Sequence, residues 1–490
     1  MSKQTTRREF LHSSAIALAA AAAVDTLALP SSAATRASLN LADNTSPRSS
    51  VPGEIGMWVT NDTLRFAKRD PIRWQAGSAA FEKNQITLNP NKKFQEILGF
   101  GGALTDAACY MLSQLPPPQR EQLFHELFHP SEMGLNVCRT CIGASDYSKA
   151  AYSYDEGEPD LELKRFSIAY DREYILPMLR EARKANPDLF LFSSPWSPPG
   201  WMKSGGSMLG GSMRRRYLHV YAEYFQKFLQ AYEADGVPIQ AVTVQNEVDT
   251  DQDARMPACI WPQEYEMEFV RDHLGPLLER NGAKTKIWVL DHNYNLWGRA
   301  VAELDDPGVR KYAKAIAWHG YVGTPDMMTK AHEAHPEAAM YWTEGGPDYI
   351  DPDYLTSWAK WGTTFTDVLR NWCSSITTWN VALDEVGRPN IGPFKCGGFV
   401  SINSRTKEIA RSGQYWGMAH FSRAIRRGAR RFESEGALAG ISHASFDNPD
   451  GTRVLVLTNS GDEQKVSIQL DGLGTAITLD RNSVATLVWS

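Results

Sequence analysis

Cysteine is scarce in this chain. Six thiols in 490 residues, at Cys109, Cys138, Cys141, Cys259, Cys373 and Cys396, make no dense framework, and a chain long enough to bury its own core does not need one. The lone CxxC, Cys138 to Cys141, sits in a strand-like run where residues three apart point to opposite faces, which argues against a shared metal. Buried free thiols are expected, with a pairing left open for an oxidising compartment. Runs of one charge sign are also missing: 51 basic and 57 acidic residues are interspersed, for a net charge of −6. That balance argues against a nucleic-acid partner and against an anionic membrane surface. Beyond the N-terminus no apolar run is long and charge-free enough to span a bilayer, so no stable membrane insertion is expected. Several cofactor and nucleophile motifs are absent as well. There is no P-loop and no GxSxG elbow, and Leu104 takes the place of the third glycine in a dinucleotide fingerprint begun by Gly99 and Gly101. A calcium loop begun by Asp249, Asp251 and Asp253 fails at Ala254 and Ile260.

What is present points to a large globular enzyme. A hydrophobic content of 42% is enough for one large core and a smaller accessory domain. Arg7 and Arg8 precede an alanine-rich run and the small residues Ser32, Ala33 and Ala34, the pattern of a twin-arginine export signal over residues 1–34. Export of a folded protein to the periplasm or the medium is the expectation. Residues 35–53, rich in Ser, Ala, Asn and Pro, read as a linker. Short strands then fill 54–96 and again 435–490, which predicts one β-sandwich assembled from both chain ends.

Between them, residues 97–434 alternate strand and helix. Strands are expected at 97–101, 135–142, 189–194, 239–245, 287–291, 315–318, 339–343 and 375–381, with an amphipathic helix over 217–234 whose stripe includes Tyr221, Tyr224, Phe225, Phe228 and Leu229. Eight such units predict an α/β fold, a (β/α)8 TIM barrel, whose chemistry lies just after the strands. Fifteen tryptophans suit a protein that stacks the flat faces of sugar rings.

Two carboxylates stand where barrel chemistry is expected. Glu247 follows the fourth strand candidate and Glu344 the seventh, so both can face the mouth. Carboxyls ~5 Å apart are what retaining glycoside hydrolysis requires, one as nucleophile and the other as acid/base. One literal motif competes with this reading. His125, Glu126 and His129 form HExxH, the zinc-protease pattern, but Pro130 ends the helix at once, and Leu123, Phe124, Leu127 and Phe128 read as a face packed on a barrel. A carbohydrate-binding barrel without catalysis is the other rival, and the presence of both glutamates argues against it.

The stretches LGFGGALTDA (98–107), LNVCRTCIGASDY (135–147), SPWSPPGWMK (194–203), TVQNE (243–247), AWHGY (317–321), WTEG (342–345) and WNVAL (379–383) resemble, in order, the motifs of glycoside hydrolase family thirty, the glucosylceramidase and β-1,6-glucanase family. The resemblance spans about residues 95–434 and implies a barrel with an attached β-sandwich. It also implies Glu247 as acid/base and Glu344 as nucleophile, with no metal or organic cofactor. Asn246 would bind the sugar 2-hydroxyl, Asp146 and Trp196 the remoter hydroxyls, and Trp379 would form an apolar wall. His319 and Tyr321 would hold the nucleophile, and Arg139 would pair with a site carboxylate. The implied activity is retaining cleavage of a β-glucoside or β-glucan, first as a glucosylceramidase-like β-glucosidase and alternatively as an endo-β-1,6-glucanase or related glycanase. The loop Asp384–Gly398 departs from the lysosomal members, which leaves the aglycone side open.

Overall fold

The computed structural model describes residues 53–76 and 84–490. The expected leader, 1–34, and all but the last residue of the expected linker, 35–53, lie outside the described residues. Eight parallel strands form the central sheet: β1 (Gly99–Gly102), β2 (Val137–Cys141), β3 (Phe190–Ser194), β4 (Ala241–Thr243), β5 (Lys286–Asn293), β6 (Ala313–His319), β7 (Ala339–Glu344) and β8 (Cys373–Thr378). Each lies beside the next, and β8 pairs with β1 from Ser375–Gly99 to Thr378–Gly102. A bridge between Ala103 and Arg139 completes the ring. All eight expected strands are present; β4 is shorter than expected, and that matters for the site.

The barrel interior follows directly from the period of two. Val137, Phe192, Ala241, Ala317 and Tyr341 meet in one apolar cluster with Trp288. Two residues further along the same strands, on the same side of the pleat, come Arg139, Ser194, Thr243, His319 and Thr343. The sheet is therefore plugged below and polar above, at the C-terminal end where its loops gather. Helices cover the outside, and the one at Leu218–Ala234 buries Tyr221, Tyr224, Phe225, Phe228 and Leu229 as its stripe predicts.

Ten further strands join in series into the attached β-sandwich. Both chain ends contribute: Glu54–Thr60 pairs antiparallel with Ser483–Trp489, and Gln85–Glu96 pairs with Arg430–Glu435 on one side and Gln464–Leu470 on the other. The strand Arg430–Glu435 thus belongs to the sandwich sheet, although all of it but Glu435 falls inside the segment read as barrel. Its core is Ile55, Ile86, Leu88, Phe432, Leu455, Leu457, Val466, Ile468 and Leu487.

The HExxH segment lies on an outer helix, Pro117–Phe128, with Leu123, Phe124, Leu127 and Phe128 buried. Glu126 accepts hydrogen bonds from Arg411 Nε and Tyr415 Oη, both at 2.6 Å. That carboxylate is committed to a structural ion pair, and the protease reading loses its base. The six thiols are free, five of them buried.

Candidate active site

Strand β4 ends at Thr243, and the backbone beyond it is irregular and aims three polar side chains. The Gln245 amide donates to Trp196 O at 2.7 Å. Asn246 N–H donates to Pro195 O at 2.8 Å, and Glu247 N–H to Asp291 O at 3.1 Å. Glu247 itself has φ +53°, a left-handed conformation that costs a non-glycine residue about 1–3 kcal/mol. Successive residues of a strand point to opposite faces, so Asn246 and Glu247 reach the same mouth only because the strand has stopped and the backbone has turned. Glu344 needs no such device, since it is the last residue of β7.

Arg139, rising from β2 and fully buried, ties the mouth together. It donates to Glu344 Oε2 at 2.5 Å, Asp291 Oδ2 at 2.6 Å, Asn246 Oδ1 at 2.9 Å and Ser194 Oγ at 3.2 Å. With its donors taken by protein acceptors, Arg139 positions carboxylates and does not reach for a ligand. Asp291 also accepts from Thr243 and Thr343, each at 2.7 Å. Burial opposes its charge, but the Arg139 guanidinium and His319 outweigh burial and hold its carboxyl well below the usual range.

His319 stands between the two glutamates. Its Nδ1 is 3.7 Å from Glu247 Oε1 and its Nε2 is 3.9 Å from Glu344 Oε2, while Nε2 is hydrogen-bonded to Asp291 at 3.0 Å. Burial disfavours the imidazolium, yet Glu344, Asp291 and Glu247 together raise its pKa to about 9. Tyr321 Oη donates to Glu344 Oε1 at 3.0 Å, and Gln252 donates to Glu247 Oε2 at 2.7 Å. One wall is aromatic: Trp196 and Trp379 stack with centroids 5.1 Å apart, and the Arg139 guanidinium lies 4.6 Å over Trp196. Asp146 completes the rim. Its Oδ1 is buried without a hydrogen-bond partner, and burial, with Glu344 and Glu247 nearby, pushes its carboxyl well above the ordinary value.

Two carboxylates held on either side of one imidazole, with an aromatic wall beside them, can divide nucleophilic attack and proton delivery at a sugar carbon. Comparison with known proteins decides the family. The model of the glycosyl hydrolase family 30 TIM-barrel domain matches residues 97–425, and that of the family 30 β-sandwich domain matches 428–487. The chain belongs to glycosyl hydrolase family 30. Among its family 30 relatives, an endo-1,6-β-D-glucanase of Neurospora crassa is 33% identical over 84% of this chain and 89% of its own length. The lysosomal acid glucosylceramidase of Mus musculus is 29% identical over 82% of this chain and 83% of its own. A solved endo-β-1,6-glucanase structure superposes with a TM-score of 0.82 at 29% identity, covering 89% of this chain and 99% of the other.

The structure brings all nine residues singled out in the sequence to this one mouth: Glu247, Glu344, Asp146, Trp196, Asn246, His319, Tyr321, Trp379 and Arg139. It adds others to this family 30 site that the sequence reading passed over. Asp291 carried a readable signal, a carboxylate at the end of the fifth strand candidate. His292, Asp249 and Gln252 carried none, because their closeness to Glu247 depends on how the loop after β4 folds back over β5. His292 Nδ1 is 3.9 Å from Glu247 Oε1, and its Nε2 is bound to Asp249 at 2.5 Å. Glu247, His292 and His319 are the group among the described residues whose ligand atoms lie close enough together for a metal ion.

Proposed function

We propose that this protein is a retaining endo-β-1,6-glucanase, exported through the twin-arginine route, that works by double displacement. Glu344 attacks the anomeric carbon while Glu247 protonates the departing glycosidic oxygen; a covalent glycosyl-enzyme results. Glu247 then takes a proton from water, which attacks the same carbon and releases sugar of unchanged configuration. Arg139 and Tyr321 orient Glu344 through their hydrogen bonds at 2.5 and 3.0 Å. The Asn246 carbonyl oxygen is occupied by Arg139, so its NH2 is the end offered to the sugar 2-hydroxyl. Asp146, whose buried Oδ1 has no hydrogen-bond partner in the protein, binds a remoter hydroxyl, and the Trp196–Trp379 wall receives the apolar face of the ring.

The observation that carries this reading is the pair of glutamates, one just beyond β4 and one at the end of β7, flanking His319. The choice of β-1,6-glucan over glucosylceramide is supported by the higher identity of the fungal glucanase, 33% against 29% for the mouse glucosylceramidase, and by the endo-β-1,6-glucanase structure at 29% identity. The deciding measurement is the anomer first released from β-1,6-glucan, followed by proton NMR, beside glucosylceramide and xylan as competing substrates. Oligosaccharides released first in the β configuration are expected, and an α first product overturns the mechanism. Action on glucosylceramide alone replaces the glucanase with a glucosylceramidase. Glu344→Gly should abolish turnover, with azide restoring part of it as a glycosyl azide; wild-type activity in Glu344→Gln removes the assignment.

A further inference from the structure

We propose that Glu247, His292 and His319 form a binding site for a divalent transition-metal ion, with zinc as the defining ligand, and that its occupancy shuts off glycan cleavage. The Nδ1 atoms of the two histidines lie 3.9 and 3.7 Å from the same oxygen, Glu247 Oε1, and the three ligand atoms all fall within 4.8 Å of one another. Both rings are buried, and neither Nδ1 has a hydrogen-bond partner. Each ring is anchored at its far nitrogen by a carboxylate: His292 Nε2 by Asp249 at 2.5 Å and His319 Nε2 by Asp291 at 3.0 Å. A neutral histidine that donates Nε2–H to a carboxylate presents its lone pair at Nδ1, and this anchoring is the support that metal-bound histidines ordinarily have. His319, whose surrounding carboxylates favour the imidazolium, gives up its Nδ1 proton when the metal binds.

Distances and charge agree with that chemistry. Zinc takes imidazole nitrogen and carboxylate oxygen at about 2.0–2.2 Å, which puts tetrahedral ligands about 3.4 Å apart. The two distances from Glu247 Oε1, 3.9 and 3.7 Å, lie within about 0.5 Å of that spacing. Two imidazoles and one carboxylate select zinc or its neighbours over magnesium or calcium, and a fourth position remains for water. Glu247, Asp249, Asp291 and Glu344 surround the point, against Arg139 as the one permanently charged cation among the contacts described, so a dication lowers the repulsion between the carboxylates. The consequence rests on the reading of Glu247 as acid/base: a carboxylate bound to zinc cannot deliver a proton to the leaving oxygen. The sequence pattern for zinc, at His125 and His129, instead has its glutamate paired with Arg411.

The test uses the full chain carrying His125→Gln, which removes the outer histidine pair. Calorimetric titration with zinc should give one ion per chain, and crystals soaked in zinc should show an anomalous peak between Glu247, His292 and His319. His292→Gln and Asp249→Asn, the latter at a half-exposed position, should each weaken binding at least ~10-fold. Cleavage of β-1,6-glucan should fall with the same zinc midpoint and return with EDTA. No binding below millimolar zinc, a peak elsewhere, or unchanged binding in both variants overturns the site. Binding at these residues without loss of cleavage overturns its inhibitory role. A chain that binds zinc here yet cleaves no glycan without zinc contradicts the proposed function and leaves the site standing; an active, zinc-indifferent enzyme does the reverse.

Discussion

Arg139 has no water to fall back on. Its guanidinium is enclosed by Glu344, Asp291, Asn246 and Ser194, and only a planar fork of donors serves so many acceptors from one position. Arg139→Lys keeps the charge but cannot bridge them, so Glu344 loses its fixed orientation. The expected result is a fall in kcat of about 100-fold with a folded protein, read from steady-state kinetics and circular dichroism. Arg139→Met goes further and leaves Asp291 and Glu344 buried without their cation. Denaturant unfolding should show a loss of about 3–5 kcal/mol. The two variants separate what the side chain does for geometry from what it does for charge. Asp291 is bound into the same network, and its signal was legible: a carboxylate ending a strand. His292 was not, since nothing in its neighbourhood along the chain marks it as facing Glu247.

Loops around the mouth set what the strand ends can do. The segment after Leu383 docks on the rim, where Ile391 and Gly392 N–H groups donate to Asp146 O at 2.8 and 3.3 Å. A Cβ added at Gly392 would lie 2.6 Å from Asp146 Cβ, so this glycine is required by close approach. Gly392→Ala should displace Asp146 and lower kcat/KM roughly tenfold while leaving the melting temperature nearly unchanged.

A second element-scale prediction concerns the layer between barrel helices and the loop that precedes them. Asp171 accepts from Tyr152, Tyr154 and Tyr232, and burial, only partly offset by these three hydroxyls, raises its pKa to about 6 from 3.8. The folded state therefore holds this proton more tightly than the unfolded chain does. The stabilising contribution is complete below pH 3.8 and is lost as pH rises through about 6. Asp171→Asn cannot titrate, so its melting temperature, scanned from pH 4 to 7, should fall less with rising pH than that of the wild type. Equal slopes would remove Asp171 as the source.

The sandwich is joined to the barrel through specific polar and close-packed contacts. His420, on the helix Gly413–Ser422, bridges Thr486 and Thr60, each at 2.8 Å, and so links barrel, C-terminal strand and N-terminal strand. Burial and Arg423 lower its pKa to about 3, which keeps it neutral across the working range. Arg370 reaches across to the carbonyls of Ser434 and His443. Gly362, on the helix Trp358–Arg370, meets the sandwich so closely that a Cβ would sit 2.5 Å from Thr458 Oγ1. Gly362→Val should destabilise the whole chain by about 1–3 kcal/mol through overpacking. Thermal unfolding should remain a single transition at lower temperature, and kcat per folded molecule should not change.

Periodicity along the chain determined the eight strands, the covering helices and the two β-rich ends, because each element's burial pattern is written locally in its own residues. It also marked Glu247 and Glu344, since charged groups at the ends of buried strands are costly unless used. Only the tertiary structure decided that β4 stops at Thr243, that Glu247 turns left-handed, and that His292 and His319 converge on it. Those facts come from contacts between residues far apart in the chain, and a backbone conformation that is unfavourable locally is held only by the network of hydrogen bonds around Arg139 and Asp291.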